Sequence, residues 1–261
     1  MSGQGRATAS EVLVEASDGV LEITINRPEA RNAVTLAVAE SVAAALDELD
    51  TRPDLAVGII TGAGGTFCAG MDLKGFLRGE RPTVPGRGFA GITEMPPAKP
   101  IIAAVEGYAL AGGCEIVLAC DMVTAGQSAR FGIPEVKRGL VAAAGGLFRL
   151  PDRIPPAVAM ELALTGDFLE AERAHQLGLI NTLVADGEAL AAAHRLADRI
   201  AANGPLATLA SKKIMVESRS WPADERFTRQ QAIIRPIIAS QDAQEGARAF
   251  AEKRQPVWQG R

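Results

Sequence analysis

The chain has few of the residues that commonly hold metal ions or build histidine-dependent nucleophiles. Its three cysteines, Cys68, Cys114 and Cys120, are odd in number and lack the spacing of metal ligands. Its two histidines, His175 and His194, fall on predicted helices far along the chain. We therefore expect no metal site, and a serine or cysteine hydrolase that depends on histidine is disfavoured.

Long apolar runs and an excess of positive charge are also missing. No run approaches the ~18 apolar residues that a membrane-spanning helix needs, and Glu106 interrupts the longest candidate. The formal net charge is −4, and no basic block indicates nucleic-acid binding. Residues 1–10 are small and polar, without the apolar centre of a signal peptide. We expect a cytoplasmic protein that binds neither a membrane nor nucleic acid.

Aliphatic residues, in contrast, are plentiful enough for a large core. The 261 residues are 48% hydrophobic and only 4% aromatic, and this length suits one domain, or one domain with a helical appendage. Short apolar strands alternate with helical patterns before residue 155, and nearly everything after it is helical. The pattern predicts an α/β core with a helical tail. Strands are predicted at 11–16, 20–25, 55–61, 100–105, 122–125, 129–131 and 179–184, and helices at 35–49, from Gly112 onward, and at 147–150, 155–164, 170–177, 188–202, 205–217, 223–239 and 242–254.

A glycine-rich loop at residues 61–74 follows a predicted strand. It lacks the Gly-Lys-Ser/Thr and GxGxxG spacings of phosphate loops, so it is interpreted as a loop that brings backbone N–H groups to a ligand. Lys74 is within reach of an anionic group on such a ligand, although an exposed lysine is more often only solvated. Residues 75–97, rich in Gly, Pro and Arg, are predicted to form a mobile surface segment that serves as a lid or a pocket wall.

The stretch 107–115 brings a backbone donor and a carboxylate within one helical turn. If Gly112 begins a helix, its N–H is one of the unpaired donors at the helix start, and Glu115 follows three residues later. The same residues also fit a tight turn whose glutamate complements the helix dipole. Glu135, directly after Pro134, is either an acid in a first helical turn or a second functional carboxylate.

Three motifs follow one another along the chain: Phe-Cys-Ala-Gly-Met-Asp-Leu-Lys at 67–74, Ala-Gly-Gly-Cys-Glu at 111–115 and Phe-Gly-Ile-Pro-Glu at 131–135, followed by Gly145-Gly146 and Arg149-Leu150. In this order they resemble the enoyl-CoA hydratase/isomerase (crotonase) superfamily, and the resemblance extends from residue 26 to residue 254. The resemblance implies an α/β fold of the crotonase type, with a spiral of ββα units over residues 1–200. It also implies a helical C-terminal region, residues 201–261, that builds homotrimers or dimers of trimers.

The resemblance further implies the reversible syn addition of water to a 2-enoyl-CoA thioester. The N–H groups of Met71 and Gly112 are expected to form the oxyanion hole, although Met71 is larger than the usual alanine. Glu115 is expected to orient and deprotonate water, and Glu135 to protonate C2. Coenzyme A is part of the acyl-CoA substrate, and no separate cofactor is implied. The expected substrate-binding residues are Ala30, Ala69, Asp72, Leu73, Tyr108, Gly113, Pro134 and Gly146, with Lys74 and Lys253 at the CoA phosphates.

Other activities stay open on the sequence alone. Two glutamates favour a hydratase over a Δ3,Δ2-enoyl-CoA isomerase, which commonly keeps only one. Residues 88–94 and the ending 250–261 resemble bacterial carnitinyl-CoA dehydratases, and a catalytically silent acyl-CoA-binding protein is the non-enzymatic alternative. Four positions depart from residues common in the family and are expected to change CoA contacts or the acyl pocket: Glu29, Arg31, Ala142 and Leu147.

Overall fold

The computed structural model describes residues 10–261, so the signal-peptide expectation for residues 1–10 lies almost wholly outside the described residues. The strands are β1 Val12–Ser17, β2 Val20–Ile25, β3 Val57–Gly62, β4 Thr83–Val84, β5 Gly88–Phe89, β6 Ile101–Val105, β7 Tyr108–Leu110, β8 Met122–Gly126, β9 Arg130–Gly132, β10 Leu169–Glu170 and β11 Thr182–Val184. The helices are α1 Leu36–Thr51, α2 Leu73–Leu77, α3 Gly112–Ala119, α4 Gly146–Arg153, α5 Pro156–Thr165, α6 Ala171–Gln176, α7 Ala189–Ala201, α8 Pro205–Glu217, α9 Arg226–Ile238 and α10 Gln241–Glu252. Two 3₁₀ turns cover Pro28–Ala30 and Pro134–Arg138.

The central sheet has six strands in the order β1-β2-β3-β6-β8-β11. The β1–β2 hairpin is antiparallel, and all the other neighbours are parallel. Alternate side chains face opposite sides: Ile60 and Ala103 join the apolar cluster that includes α1, whereas Ile59 and Ile102 join the cluster that includes α7. Both faces are therefore covered, which explains why β3 and β6 are continuous apolar runs in the sequence.

Most of the predicted elements are confirmed, including the first hairpin and the helix capped by Thr35, whose Oγ1 accepts the Val38 N–H at 3.2 Å. The strand β7 was not predicted from the sequence. The sequence placed residues 108–110 in a glycine turn, but they pair in parallel with β9, and Cys68 bridges Ala109. Pairing with residues distant in sequence overrides the local preference for a turn.

The prediction that residues 75–97 form a surface segment is confirmed only in part: Leu77 is 84% exposed, whereas residues 87–93 are largely buried. The mobility of the segment stays a prediction. Ala90, Ile92 and Thr93 are buried, and β4 and β5 form a short hairpin within the segment. The buried Arg87 donates to the Met95 carbonyl at 3.0 Å and pairs with Asp47 on α1. These contacts hold residues 87–95 against the core.

The C-terminal helices are attached to the core through few contacts. No residue of α8 or α9 is buried within the chain, but Lys212 Nζ on α8 donates to the Lys99 carbonyl at 2.8 Å and to Asp121 Oδ2 at 2.6 Å. Large apolar side chains remain exposed here, among them Phe227 and Phe250 at 79% and 88%. The division into residues 1–200 and 201–261 stays a prediction. No helix in the described range is long and apolar enough to cross a bilayer.

The buried carboxylate of Asp242 holds the end of the chain against α10. It accepts the N–H groups of Gln259 and Gly260 at 2.7 and 2.9 Å, and Trp258 Nε1 donates to the Ala202 carbonyl at 2.9 Å. Asp242→Ala is expected to lower the free energy of unfolding by about 1–3 kcal/mol, because two donors lose a charged acceptor. Urea denaturation measures this, with exposed Gln244→Ala on the same helix as the control. Equal midpoints for the two variants would contradict the anchoring role.

Candidate active site

A cavity of about 780 Å³ opens between the loop before α2, the wall formed by residues 81–94, the start of α3 and the segment 134–149. Its size suits a small-molecule ligand. The segment 75–97 therefore contributes a pocket wall, as predicted. The lining includes Arg31, Ala69, Met71, Leu73, Phe76, Arg81, Phe89, Thr93, Glu94, Leu110, Ala111, Gly112, Glu115, Pro134, Glu135, Arg138, Leu140, Val141, Ala144, Phe148, Arg149 and Phe168.

Two backbone N–H groups at this cavity, those of Met71 and Gly112, have no acceptor within residues 10–261. Their segments are held together because the Leu110 N–H donates to the Cys68 carbonyl at 3.0 Å. A Cβ built on Gly70 would lie only 3.1 Å from the Gly112 nitrogen, so the two segments are in direct contact. The geometry brings the two predicted donors into one site, where they are available to a ligand oxygen.

The backbone at Ala111 is strained. This residue has φ 52° and ψ −127°, a conformation that favours glycine, and a non-glycine residue held there typically stores about 1–3 kcal/mol. The conformation lets the chain leave β7 and begin α3 at the next residue. Ala111 is fixed on both sides. Its N–H donates to the Gly132 carbonyl at 2.8 Å, and its carbonyl accepts the backbone N–H of Glu115 at 3.1 Å. The strain thus serves to present the first N–H of the helix, that of Gly112.

The carboxylate of Glu115 lies inside the molecule, with only 3% of the residue exposed. Its Oε1 accepts the N–H groups of Ala144 and Gly146 at 2.7 and 2.9 Å. Burial raises the pKa of Glu115, and these two hydrogen bonds together with the Arg149 charge oppose the rise. With Oε1 occupied by two donors, Oε2 is the oxygen left to act on a ligand.

Glu135 lines the same cavity but lies in a different electrostatic environment from Glu115. Burial, with a further contribution from the charge of Glu115, raises the pKa of Glu135 to about 7. Its Oε2 is buried and has no hydrogen-bond partner among residues 10–261. A carboxyl in this environment holds a proton near neutral pH. The two carboxyls therefore differ: burial raises the pKa of both, but two N–H donors oppose the rise at Glu115, whereas Oε2 of Glu135 has no such donor among the described residues.

The other residues predicted to bind substrate fall into two groups. Ala69, Leu73 and Pro134 line the cavity, whereas Ala30, Asp72, Tyr108, Gly113 and Gly146 do not. Asp72 caps α2 and pairs with Arg27 at 3.0 Å, and the Tyr108 ring packs edge-on against Phe168, with centroids 6.4 Å apart. Gly113 lies behind the site, where a Cβ would overlap the Cys68 carbonyl oxygen, and Gly146 instead donates to Glu115.

The charges at the cavity differ from those predicted. Neither Lys74 nor Lys253 lines it, whereas the exposed side chains of Arg31, Arg81 and Arg138 do. In the sequence, Arg31 is only a departure from the family pattern, and Arg81 and Arg138 carry no signal of a role, because their common position becomes evident only in the fold. The other three positions that depart from the family pattern, Glu29, Ala142 and Leu147, do not line the cavity.

The cysteines are not suited to nucleophilic chemistry. All three are buried, and burial raises the pKa of each thiol to about 12, so the reactive thiolate is scarce at neutral pH. Within residues 10–261, no three His, Cys, Asp or Glu side chains converge to hold a metal ion. The groups at the cavity most suited to act on a ligand are Glu115 and Glu135, the two N–H groups without an acceptor among the described residues, and the arginines.

Comparison with known proteins supports this description. Residues 15–261 match the family model described as enoyl-CoA hydratase/isomerase. The crystal structure of enoyl-CoA hydratase EchA1 from Mycobacterium marinum superimposes with a TM-score of 0.95 at 62% identity, covering 97% of this chain and all of that one. Enoyl-CoA hydratase EchA19 of Mycobacterium tuberculosis is 43% identical over 96% of this chain and 97% of its own length. A carnitinyl-CoA dehydratase of Salmonella heidelberg is 41% identical over 93% and 95%. The fold inferred from the motifs is therefore confirmed, and the chain belongs to the enoyl-CoA hydratase/isomerase family.

Proposed function

We propose that the protein is an enoyl-CoA hydratase that adds water reversibly, in the syn sense, to a 2-enoyl-CoA thioester and forms a 3-hydroxyacyl-CoA. The observation that supports this most strongly is the convergence of two free N–H donors and two unlike carboxyls on one cavity. Hydration needs a site for the enolate oxygen, a base for water and an acid for C2, and these groups supply all three.

In this mechanism the thioester oxygen accepts hydrogen bonds from the N–H groups of Met71 and Gly112. Oε2 of ionised Glu115 accepts a proton from water, whose oxygen bonds to C3. Negative charge moves through the conjugated system to the thioester oxygen, where the two donors stabilise it. Protonated Glu135 then delivers its proton to C2. The reaction leaves the pair with the same total number of protons, and it requires no cofactor besides the CoA carried by the substrate.

The aromatic part of the cavity wall favours an uncharged acyl chain. Three of its four phenylalanines already contact cations of the chain. The Arg81 guanidinium lies 4.3 Å from the Phe76 ring centroid, and the Arg149 guanidinium lies 5.1 Å from the Phe148 ring centroid. The Lys137 ammonium lies 6.0 Å from the Phe168 ring centroid. A trimethylammonium group would compete with these cations for the aromatic faces. Hydration of a neutral enoyl chain is therefore preferred over the carnitinyl-CoA reaction named for some relatives.

The exposed arginines suit the phosphates of CoA. Arg31, Arg81 and Arg138 line the cavity and present guanidinium groups, which bind phosphate through paired N–H donors. Lys74 and Lys253 remain proposals for the same role, with Lys253 reaching a neighbouring subunit. The unburied faces of α8 and α9 suit a homotrimer or a dimer of trimers, because large exposed apolar side chains are covered on assembly. We place the enzyme in the cytoplasm, with no nucleic-acid or membrane partner.

The direct test is hydration of crotonyl-CoA, followed by the loss of enone absorbance. Parallel assays use a β,γ-enoyl-CoA for isomerisation and carnitinyl-CoA for dehydration. Turnover with crotonyl-CoA at a higher kcat/KM than with the other two supports the proposal. Binding of crotonyl-CoA without hydration would refute it, and faster turnover of either other substrate would select the isomerase or the carnitinyl-CoA dehydratase.

The pH dependence of hydration is expected to show the proton on Glu135. Because its pKa is about 7, the pair loses its remaining proton as the pH rises through that value, and kcat/KM should fall on the alkaline side. Dehydration should show the same alkaline limb, since it starts from the same singly protonated pair. The residual activity of Glu135→Gln should lack this limb. A rate that stays level to pH 9 would contradict the role of Glu135 as the acid.

A further inference from the structure

Arg149 is a cavity-lining residue for which the proposed mechanism gives no role. It lies on α4, is partly buried, and donates to two backbone carbonyls: Nη2 to Thr93 at 2.6 Å and Nη1 to Ala144 at 3.3 Å. Thr93 belongs to the wall formed by residues 81–94, and Ala144 belongs to the loop that binds Glu115. One side chain therefore joins the wall formed by residues 81–94 to the loop that binds Glu115.

The contact with that loop is close. Gly145 lies between the two residues whose N–H groups bind Glu115 Oε1, and a Cβ built on it would overlap Arg149 Nη1. Gly145 also has φ 99°, which favours glycine. The guanidinium thus packs directly on the backbone of residues 144–146, and a change in its position moves the two N–H donors.

The charge of Arg149 acts on the same carboxylate. The charged groups that face Glu115 are Arg149 on α4 and Glu135 on the 3₁₀ turn, and Arg149 is the cation among them. Arg149 in turn faces Arg153 and the thiol of Cys120. Burial lowers the pKa of Arg149, yet an arginine remains protonated in proteins. Its positive charge is permanently available to favour ionised Glu115.

We propose that Arg149 is a positioning residue that fixes the 144–146 loop through its two carbonyl contacts and keeps Glu115 oriented and ionised as the base. It does not touch the reacting atoms in this assignment. The inference rests on the proposed hydratase function for its kinetic consequences, whereas its electrostatic part is measurable in the free protein.

The test compares Arg149→Gln, Arg149→Lys and Arg153→Gln. Arg153 is a matched control, because it lies one turn further along α4 and also donates to two carbonyls, those of Asp121 and Cys120, away from the cavity. Arg149→Gln is expected to lower kcat by about 10–100-fold through misplacement of the base. It should also move the acidic limb of the kcat/KM profile up by about 1 pH unit, because ionised Glu115 loses its nearby cation.

The other two variants separate charge from geometry. Arg149→Lys keeps the charge, so its acidic limb should stay at the wild-type position while kcat falls, because a single ammonium cannot reproduce the planar double contact. Arg153→Gln should lower the melting temperature without moving the limb. Any of three results would overturn the proposal. The acidic limb of the kcat/KM profile could stay at its wild-type position in Arg149→Gln, or it could move equally in Arg153→Gln. The third such result is a wild-type kcat in Arg149→Lys. If Arg149→Gln does not fold, the Arg149→Lys result decides.

A second readout needs no turnover. The carboxyl of Glu115 can be titrated by carbon-13 NMR in protein labelled at glutamate, with Glu115→Gln assigning the resonance. The pKa of Glu115 should rise in Arg149→Gln and stay unchanged in Arg149→Lys and Arg153→Gln. An unchanged pKa in Arg149→Gln overturns the inference even in an active enzyme, whereas a raised pKa in a protein that does not hydrate crotonyl-CoA refutes only the proposed function.

Discussion

Glu115→Gln is expected to lower kcat for hydration by about 10²–10⁴-fold, the loss that follows removal of a general base. The amide is nearly the same size as the carboxylate, and its oxygen still accepts the N–H groups of Ala144 and Gly146, so the loop stays in place. What disappears is the acceptor at Oε2, which becomes an NH₂ group and no longer takes a proton from water. Crotonyl-CoA kinetics at the optimal pH measure the effect.

The control is Glu106→Gln. Glu106 Oε1 also accepts two backbone N–H groups, those of Gly187 and Ala189 at 3.0 and 2.9 Å, but it does not line the cavity. Its replacement should leave kcat within about 3-fold of the wild type, since no transition-state contact is lost. Comparable losses of kcat in the two variants would show that removing any glutamate that binds two backbone N–H groups has this effect, and would contradict the assignment of Glu115 as the base.

Gly113→Ala is expected to lower kcat by about 10²–10³-fold, as loss of one oxyanion-hole donor does in other enzymes. Gly113 does not line the cavity, and its φ is not in the left-handed region, so the effect is purely steric. The new Cβ would overlap the carbonyl oxygen of Cys68, which forces α3 away from the loop that carries Met71. The N–H groups of Gly112 and Met71 would then lie too far apart to bind one ligand oxygen together, as the proposed mechanism requires.

The matched control is Gly204→Ala, where a Cβ would make ordinary contacts with the Trp258 ring at 3.6 Å. Overpacking at Gly113 is also expected to lower the free energy of unfolding by about 1–3 kcal/mol, so thermal unfolding is recorded beside the kinetics. A folded Gly113→Ala protein with wild-type kcat would contradict the requirement that the two segments lie close together. A KM effect without a kcat effect would contradict it as well.

Much of the fold could be predicted because it depends on local patterns. The hairpin around Asp18 and Gly19 and the helix capped by Thr35 follow from turn chemistry, capping and periodicity, and both are confirmed. The strand β7 could not be predicted, since its stability comes from β9, about twenty residues further along the chain. The burial of residues 87–93 could not be predicted for the same reason: the glycines and prolines of residues 75–97 indicate a loop, whereas the contacts with α1 that bury part of it are distant in sequence.

By itself, the sequence determined the family and the core strands and indicated Glu115 and Glu135 as candidates, because short motifs and apolar periodicity are carried by neighbouring residues. Only the tertiary structure decided which side chains face the cavity. In the folded chain Asp72 caps α2, and Gly113 lies behind the site. The side chains of Arg31, Arg81 and Arg138 line one cavity. It also set the unlike environments of Glu115 and Glu135, since burial, hydrogen bonding and neighbouring charge are properties of the folded arrangement.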